Sequence, residues 1–188
     1  KAGTPVWPIE ERPVPQSTVP GERTSPTQPF PTKPPAFTLQ GTVEENLIDF
    51  TPELRKQALD NLNQFVHGPI YTPPSEKGTL FLPGLFGGAN WGGGGFDPDT
   101  GILYVPSRMT PTIYRVGPGD PKATNFRYTG GGGPGGPNPN LITIQGLSIF
   151  KPPYSKLTAI DMNKGEILWS QASLLHRSAT SSRGLACW

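Results

Sequence analysis

The chain has little of several residue types on which common kinds of site depend. Of its 188 residues, one is cysteine and two are histidine. The single cysteine, Cys187, excludes an internal disulfide and a cysteine zinc cluster, and His67 and His176 have no second histidine at metal-ligand spacing, which argues against zinc. Charged residues make up 16% and the net charge is only +2, so we expect no nucleic-acid-binding surface.

Long hydrophobic runs are missing as well. No stretch of about 18 apolar residues occurs, so we expect no membrane-spanning helix in this segment. No signal peptide is visible after Lys1. The abrupt start favours a piece of a longer protein.

Glycine and proline, by contrast, are abundant. The chain has 24 glycines and 25 prolines, together 49 of its 188 residues. Because neither is tolerated in many helix interiors, a helical bundle is excluded. A disordered chain, a loop-rich all-β protein or a mixture of the two is left. Aromatic residues at 10% and the low net charge do not fit disorder.

Prolines are concentrated in residues 1–37, which predicts extended or polyproline-II backbone. Composition alone would also allow a linker. A pure linker would have no need of Trp7, Phe30 and Phe37, which argue against it.

One segment, residues 51–66, has a helical pattern. Thr51 suits the N-cap and Pro52 the first helical position. Apolar residues recur at helical spacing at Leu54, Ala58, Leu62 and Phe65. We therefore predict a surface helix near 52–65 with one buried stripe, ended by Gly68-Pro69.

From residue 79 the pattern is that of β-strands, predicted at 79–82, 91–96, 102–105, 157–160 and 166–169. Tight turns at 97–101 and 161–165 join the last four strands in pairs, while residues 8–90 and 107–156 form long connections. In an antiparallel meander both tight turns lie at one end and both long connections at the other. Function is expected at the long-loop end.

Two stretches share a glycine and a tryptophan at the same spacing, Gly3 with Trp7 and Gly165 with Trp169. Glycine allows a positive φ in a hairpin turn, and the tryptophan can dock flat against the next sheet. A four-stranded meander repeated with such a motif is typical of propeller blades.

The motif A-x-D-x-x-x-G-x-x-x-W at 159–169 resembles the tryptophan-docking motif of quinoprotein dehydrogenases, with Lys164 where that family usually has threonine. Further strings occur in the same order: P-I-E-E-R-P-V-P-Q-S (8–17), T-Q-P-F (27–30), Y-T-P-P-S-E-K-G-T-L (71–80), G-G-A-N-W-G-G (87–93) and F-D-P-D-T-G-I-L-Y-V-P (96–106). Over residues 1–171 the chain is similar to the membrane-type pyrroloquinoline quinone (PQQ) dehydrogenases of glucose, quinate and polyols.

The resemblance implies an all-β fold, a partial eight-bladed β-propeller. Residues 1–7 would end one blade, residues 8–78 would be an insertion with the helix, and residues 79–171 would form the next blade. The tail, 172–188, departs from the family and is interpreted as frameshifted or truncated, or else as a divergent genuine end. An unpaired blade exposes edges and apolar faces, so marginal stability is expected.

The resemblance also implies a periplasmic enzyme that oxidises a sugar, polyol or alcohol and passes electrons to ubiquinone. PQQ would sit at the propeller axis on the long-loop face, with an aspartate base and Ca²⁺ or Mg²⁺. The base, the metal ligands and any membrane association would belong to segments upstream of Lys1. We expect no catalytic or metal residue here and no activity of the segment alone. The alternative is a non-enzymatic β-rich binding module with the proline-rich arm as a partner ligand.

Asn90, in G-G-A-N-W, is the first site candidate. It matches an asparagine that hydrogen-bonds PQQ in related quinoprotein alcohol dehydrogenases, and a plain structural role is the alternative. Trp91 is the second cofactor-binding candidate, although its residue type favours packing. The carboxylates of the two tight turns, Asp97, Asp99 and Asp161, are expected to be structural.

Neither glycine-rich run, 92–95 or 130–136, leads from a strand into a helix with the residues of a phosphate loop, so no phosphate site is expected. Gly92–Gly95 is expected to allow close approach between strands. Arg108, Arg115 and Arg127 are candidates for lining a substrate entrance, with a solvated loop as the alternative.

Overall fold

The computed structural model describes residues 3–85, 87–90, 92–130 and 142–172. These residues form one α-helix, a short 3₁₀ helix at Glu44–Asn46 and twelve strands. The helix α1 spans Pro52–Leu62. The strands are β1 (Ile9–Pro13), β2 (Thr27–Pro31), β3 (Thr79–Phe81), β4 (Gly95–Asp97), β5 (Ile102–Arg108), β6 (Thr112–Tyr114), β7 (Val116–Pro118), β8 (Tyr128–Gly130), β9 (Thr143–Ile144), β10 (Leu147–Ser148), β11 (Ser155–Asp161) and β12 (Glu166–Ala172).

The one sheet of four strands among the described residues has the order β4–β5–β11–β12, each strand antiparallel to its neighbour. Ile102 lies opposite Asp97 on one side and Asp161 on the other. This arrangement confirms the predicted meander. The prediction for its first strand was too long, because the ladder starts only at Gly95.

Both tight turns of the meander lie at one end of the sheet, in contact with each other. The amide N of Gly101 donates to the Asp97 carbonyl at 2.8 Å, and that of Gly165 donates to the Asp161 carbonyl at 2.7 Å. The Met162 amide N then joins the two turns by donating to the Gly101 carbonyl at 2.9 Å. The long connections therefore leave from the other end, as predicted.

The proline-rich segment forms an antiparallel ribbon of β1 and β2, in which Ile9 lies opposite Pro31 and Pro13 opposite Thr27. A two-stranded ribbon tolerates prolines because one edge of each strand needs no hydrogen-bond donor. The extended backbone was predicted correctly, whereas the linker alternative is wrong. Phe30 ties the ribbon to the insertion, since its ring meets that of Tyr71 edge-on at 5.4 Å.

The helix α1 begins as its sequence predicts. The Thr51 hydroxyl accepts a hydrogen bond from the Leu54 amide N at 3.2 Å. The predicted end near residue 65 is wrong, since α1 stops at Leu62. Beyond the helix, the Phe65 amide N donates a hydrogen bond to the Leu62 carbonyl at 3.1 Å. Gly68 is therefore not its terminator, although Phe65 is buried as expected.

The main hydrophobic core lies under α1, outside the four-stranded sheet. It joins α1 and Phe65 to β3, to the 3₁₀ segment and to the β9–β10 region. Its buried residues are Leu47, Ile48, Ala58, Leu62, Phe65, Leu80, Leu82, Met109, Ile144, Ile149 and Phe150. The Ile48 amide N donates to the Ile149 carbonyl at 2.9 Å. The insertion 8–78 and the excursion 107–156, far apart in sequence, are thus packed together, and the excursion is more regular than predicted.

Trp7 lies against the tight turn between β11 and β12. A β-carbon built on Gly165 would be 2.8 Å from the Trp7 ring, so only glycine allows this approach. Lys33 closes the other side, with its Nζ donating to the Lys164 carbonyl at 3.1 Å. The tryptophan of the first copy of the repeat is therefore docked on the glycine of the second.

In the described part of the chain, no helix combines the length and the apolar character that a membrane crossing requires.

Candidate functional site

A cavity of about 800 Å³ lies at the long-loop end of the four-stranded sheet. Its walls come from the segment before β4, from the end of β5 with the residues after it, and from the start of β11. The lining residues are Gly87, Gly88, Ala89, Asn90, Gly92, Pro106, Ser107, Arg108, Thr110, Ser155, Lys156 and Leu157. The lengths of the connections predicted that function lies at this end of the sheet.

The segment that carries Asn90 is held by backbone hydrogen bonds to the strand beside it. The Arg108 amide N donates to the Gly88 carbonyl at 2.7 Å. A few residues earlier in the chain, the Gly84 amide N donates to the Thr110 carbonyl at 3.0 Å. The Gly87 amide N donates to the Gly84 carbonyl at 2.8 Å. Asn90 is therefore presented from a loop anchored on the end of β5.

Asn90 lines the cavity and is solvent-exposed. Its side-chain amide makes no hydrogen bond to any residue that the structure describes. An amide offers two donors and one acceptor oxygen, so Asn90 can bind a carbonyl or a carboxylate and also a hydroxyl. Trp91, the other predicted cofactor contact, lies outside the described residues and stays a prediction.

Glycine allows close strand approach at one position of the run 92–95. A β-carbon on Gly94 would lie 3.0 Å from the Tyr104 carbonyl oxygen, so the facing backbone of β5 would have to move by a few tenths of an ångström. Gly93 and Gly95 have nothing within 4 Å. The predicted close approach is thus confirmed at Gly94 only. Of the second run, 130–136, the structure describes Gly130 alone.

The three arginines proposed for a substrate entrance are not brought together. Arg108 lines the cavity. The Arg115 Nη2 donates to the Lys77 carbonyl at 3.0 Å, and the Arg127 guanidinium lies 5.6 Å from the Tyr128 ring centre. The entrance hypothesis is therefore supported for Arg108 alone.

Lys156 also lines the cavity and was not predicted. The pairing of β11 with β5 places Lys156 opposite Ser107, one position from Arg108, so the two cationic side chains leave opposite faces of the sheet. These strands are separated by a long connection, so no local sequence signal could have shown this proximity.

The turn carboxylates behave as structural groups. Asp97 accepts hydrogen bonds from the Thr100 hydroxyl at 2.6 Å and from the Asp99 amide N at 3.0 Å. These bonds stabilise the carboxylate and lower the pKa of Asp97. Asp161 likewise accepts from the Asn163 amide N at 2.9 Å. The prediction for both positions is confirmed.

Within the described residues, no group of three or more histidine, cysteine, aspartate or glutamate side chains is placed to hold a metal ion.

The four-stranded meander, with a tryptophan from the preceding repeat docked on its turn glycine, is the architecture of one blade of a β-propeller. The family described as "Glucose/ethanol/alcohol dehydrogenase, beta-propeller domain", the PQQ family, has a sequence model that matches residues 1–182. The chain belongs to this family.

Curated relatives of the chain include three kinds of dehydrogenase. The glycerol dehydrogenase large subunit of Gluconobacter oxydans is 30% identical over 89% of this chain and 26% of the relative. The quinoprotein glucose dehydrogenase of Escherichia coli is 29% identical over 90% of this chain and 23% of the relative. The quinate/shikimate dehydrogenase (quinone) of Acinetobacter baylyi is 27% identical over 89% of this chain and 22% of the relative.

The chain thus spans about a quarter of the length of these relatives. No solved structure matches it significantly.

The cavity fits the cofactor after which the family is named. PQQ is a flat ortho-quinone that carries three carboxylates, so it needs space, donors and positive charge. The part of the lining that the structure describes has the Asn90 amide, two cationic residues and no carboxylate. Three of its residues are glycines, which leave backbone groups accessible at the wall. The residues present therefore suit a polyanionic quinone.

Proposed function

We propose that this chain is one blade, with its insertions, of a PQQ-dependent dehydrogenase that oxidises a sugar, polyol or other alcohol. The observation that carries the proposal is the exposed, unpaired amide of Asn90, which lines a cavity at the long-loop end of a blade of this family. The names of the relatives, which act on glycerol, glucose and quinate, support an alcohol as substrate.

Within that enzyme the residues of this chain would hold the cofactor and shape one wall of its site. Asn90 would hydrogen-bond an oxygen of PQQ through its amide, from a loop fixed by the Arg108–Gly88 hydrogen bond. Trp91, next in sequence, would contact the cofactor or pack beneath it. PQQ, when bound, supplies a quinone that accepts the electrons of the alcohol.

The base, the Ca²⁺ or Mg²⁺ ligands and the remaining blades would come from other parts of a longer protein. Electrons would pass to ubiquinone, a hypothesis supported by the word "quinone" in the name of one relative. The enzyme would be periplasmic and membrane-associated. The segment alone would be inactive, because it carries one blade and about a quarter of the relatives' length.

The test is Asn90→Ala in the full-length protein that contains this chain. Loss of the amide should weaken PQQ binding about tenfold, because a hydrogen bond to a charged or polarised oxygen is removed. Cofactor affinity is measured by fluorescence titration of the apoenzyme with PQQ.

Asn125→Ala is the matched control, since Asn125 is exposed and does not line the cavity. Equal PQQ affinity for Asn90→Ala and the wild type would refute the role of Asn90. A wild-type protein that binds no PQQ at all would refute the proposed function.

A further inference from the structure

Two cationic residues line the cavity from neighbouring strands, and their side chains leave opposite faces of the sheet. Arg108 is the last residue of β5, and Lys156 is the second residue of β11. The other lining residues are glycine, alanine, asparagine, proline, serine, threonine and leucine, so the described lining carries two positive charges and no negative one.

Neither cation is neutralised by the described part of the chain. The ion pairs found there involve Arg12, Lys56, Lys151 and Lys164. The side chains of Arg108 and Lys156 make no hydrogen bond to a described residue. Arg108 shares a face of the sheet with Pro106 and Leu157. An unpaired positive charge in a concave site with apolar walls concentrates the potential that attracts an anion.

The position of Arg108 relative to Asn90 is set by the backbone. Its amide N is bonded to Gly88, two residues before Asn90, at 2.7 Å, and it lies opposite Ser155 in the sheet. A guanidinium presents a planar fork of donors that matches a carboxylate in a bidentate pair. An anchored arginine beside a free amide is thus suited to a ligand with both a carboxylate and a neutral oxygen.

We propose that Arg108 binds a carboxylate of the ligand in this cavity. The proposal deepens the proposed function and rests on it. Two sources can supply that carboxylate: PQQ itself, or an acidic alcohol, a hydroxy acid, as substrate. The chemistry at Arg108 is the same in both cases.

The experiment uses the full-length protein that contains this chain, as wild type, Arg108→Gln and Arg108→Lys. Binding to the apoprotein is measured for PQQ by fluorescence, and for a hydroxy acid and a neutral polyol of equal size by calorimetry. Lys122→Gln is the control, because Lys122 is an exposed cation of the same excursion that does not line the cavity. Far-ultraviolet circular dichroism checks that each variant is folded.

A tenfold or greater loss of PQQ affinity in Arg108→Gln, partly restored in Arg108→Lys and absent in Lys122→Gln, would show that the cofactor supplies the carboxylate. The same loss for the hydroxy acid, with the neutral polyol and PQQ unchanged, would show that the substrate supplies it. Unchanged binding of all three ligands would overturn the proposal.

The proposed function is tested separately. If Asn90→Ala weakens PQQ binding while Arg108→Gln does not affect any ligand, the carboxylate site is wrong and the PQQ site stands. If the wild type binds no PQQ, the proposed function fails, and the hydroxy acid titration alone decides the role of Arg108.

Discussion

Gly165 is the residue on which the contact between the two copies of the repeat depends. Its φ is +67°, a conformation that L side chains rarely adopt, and Trp7 and Lys33 lie within 3 Å of where a β-carbon would be. Backbone conformation and close contact therefore both require glycine. This double requirement explains why the motif has a glycine at this position.

Gly165→Ala should destabilise the chain by about 2–5 kcal/mol, because it combines a strained φ with a clash against the Trp7 ring. In the longer enzyme that we propose, urea denaturation followed by tryptophan fluorescence measures the change. Gly93→Ala is the control, since Gly93 has φ +62° with nothing within 4 Å and should cost only about 1–2 kcal/mol. Equal losses in both variants would show that the Trp7 contact contributes nothing.

At the same scale, residues differ in how far their roles follow from sequence. Asp97 and Asp161 were predictable, because a turn carboxylate bonds amides two or three residues ahead and its partners are local. Arg108 was one of three candidates, and only the fold separates it from Arg115 and Arg127. No sequence pattern pointed to Lys156, since its position at the cavity depends on the pairing of β11 with β5.

Among the elements, α1 is the one that organises the insertion. Its Leu62 is fully buried in the main core, beside residues of β3 and of the β9–β10 region. The N-terminal half of the helix was predictable from the Thr51 cap, which acts over three residues. Its early end at Leu62 was not, because the following turn is set by the packing of Phe65 into that core.

Leu62→Ala should destabilise the chain by about 2–5 kcal/mol through a cavity in the core. The midpoint of urea unfolding of the longer enzyme that we propose measures the effect. Leu85→Ala is the same chemical change at a position that is 57% exposed, and it should lie within about 0.5 kcal/mol of wild type. If Leu62→Ala behaves like Leu85→Ala, the insertion core is not a stabilising element.

In the whole molecule, the main core belongs to the insertion, while the blade keeps large apolar side chains at its surface. Phe96 is 57% exposed, Leu168 46% and Trp169 44%. In a propeller, neighbouring blades cover such faces.

The isolated chain should therefore unfold at low temperature with a broad transition, and it should bind a hydrophobic dye. Calorimetry and dye fluorescence measure both. In the longer enzyme that we propose, the same segment extended by the next blade is the comparison, and its transition should be sharper and higher. A sharp two-state transition of the lone chain above about 65 °C would contradict this expectation.

The sequence by itself determined the features whose causes are local: the turns at 97–101 and 161–165, the start of α1, the order of the meander strands and the family motifs. Tertiary structure alone decided three others. The proline-rich segment pairs into a ribbon, the insertion and the excursion share a core, and Arg108 and Lys156 line one cavity. Each depends on contacts between residues distant in the chain, which packing and strand register select and which no local propensity encodes.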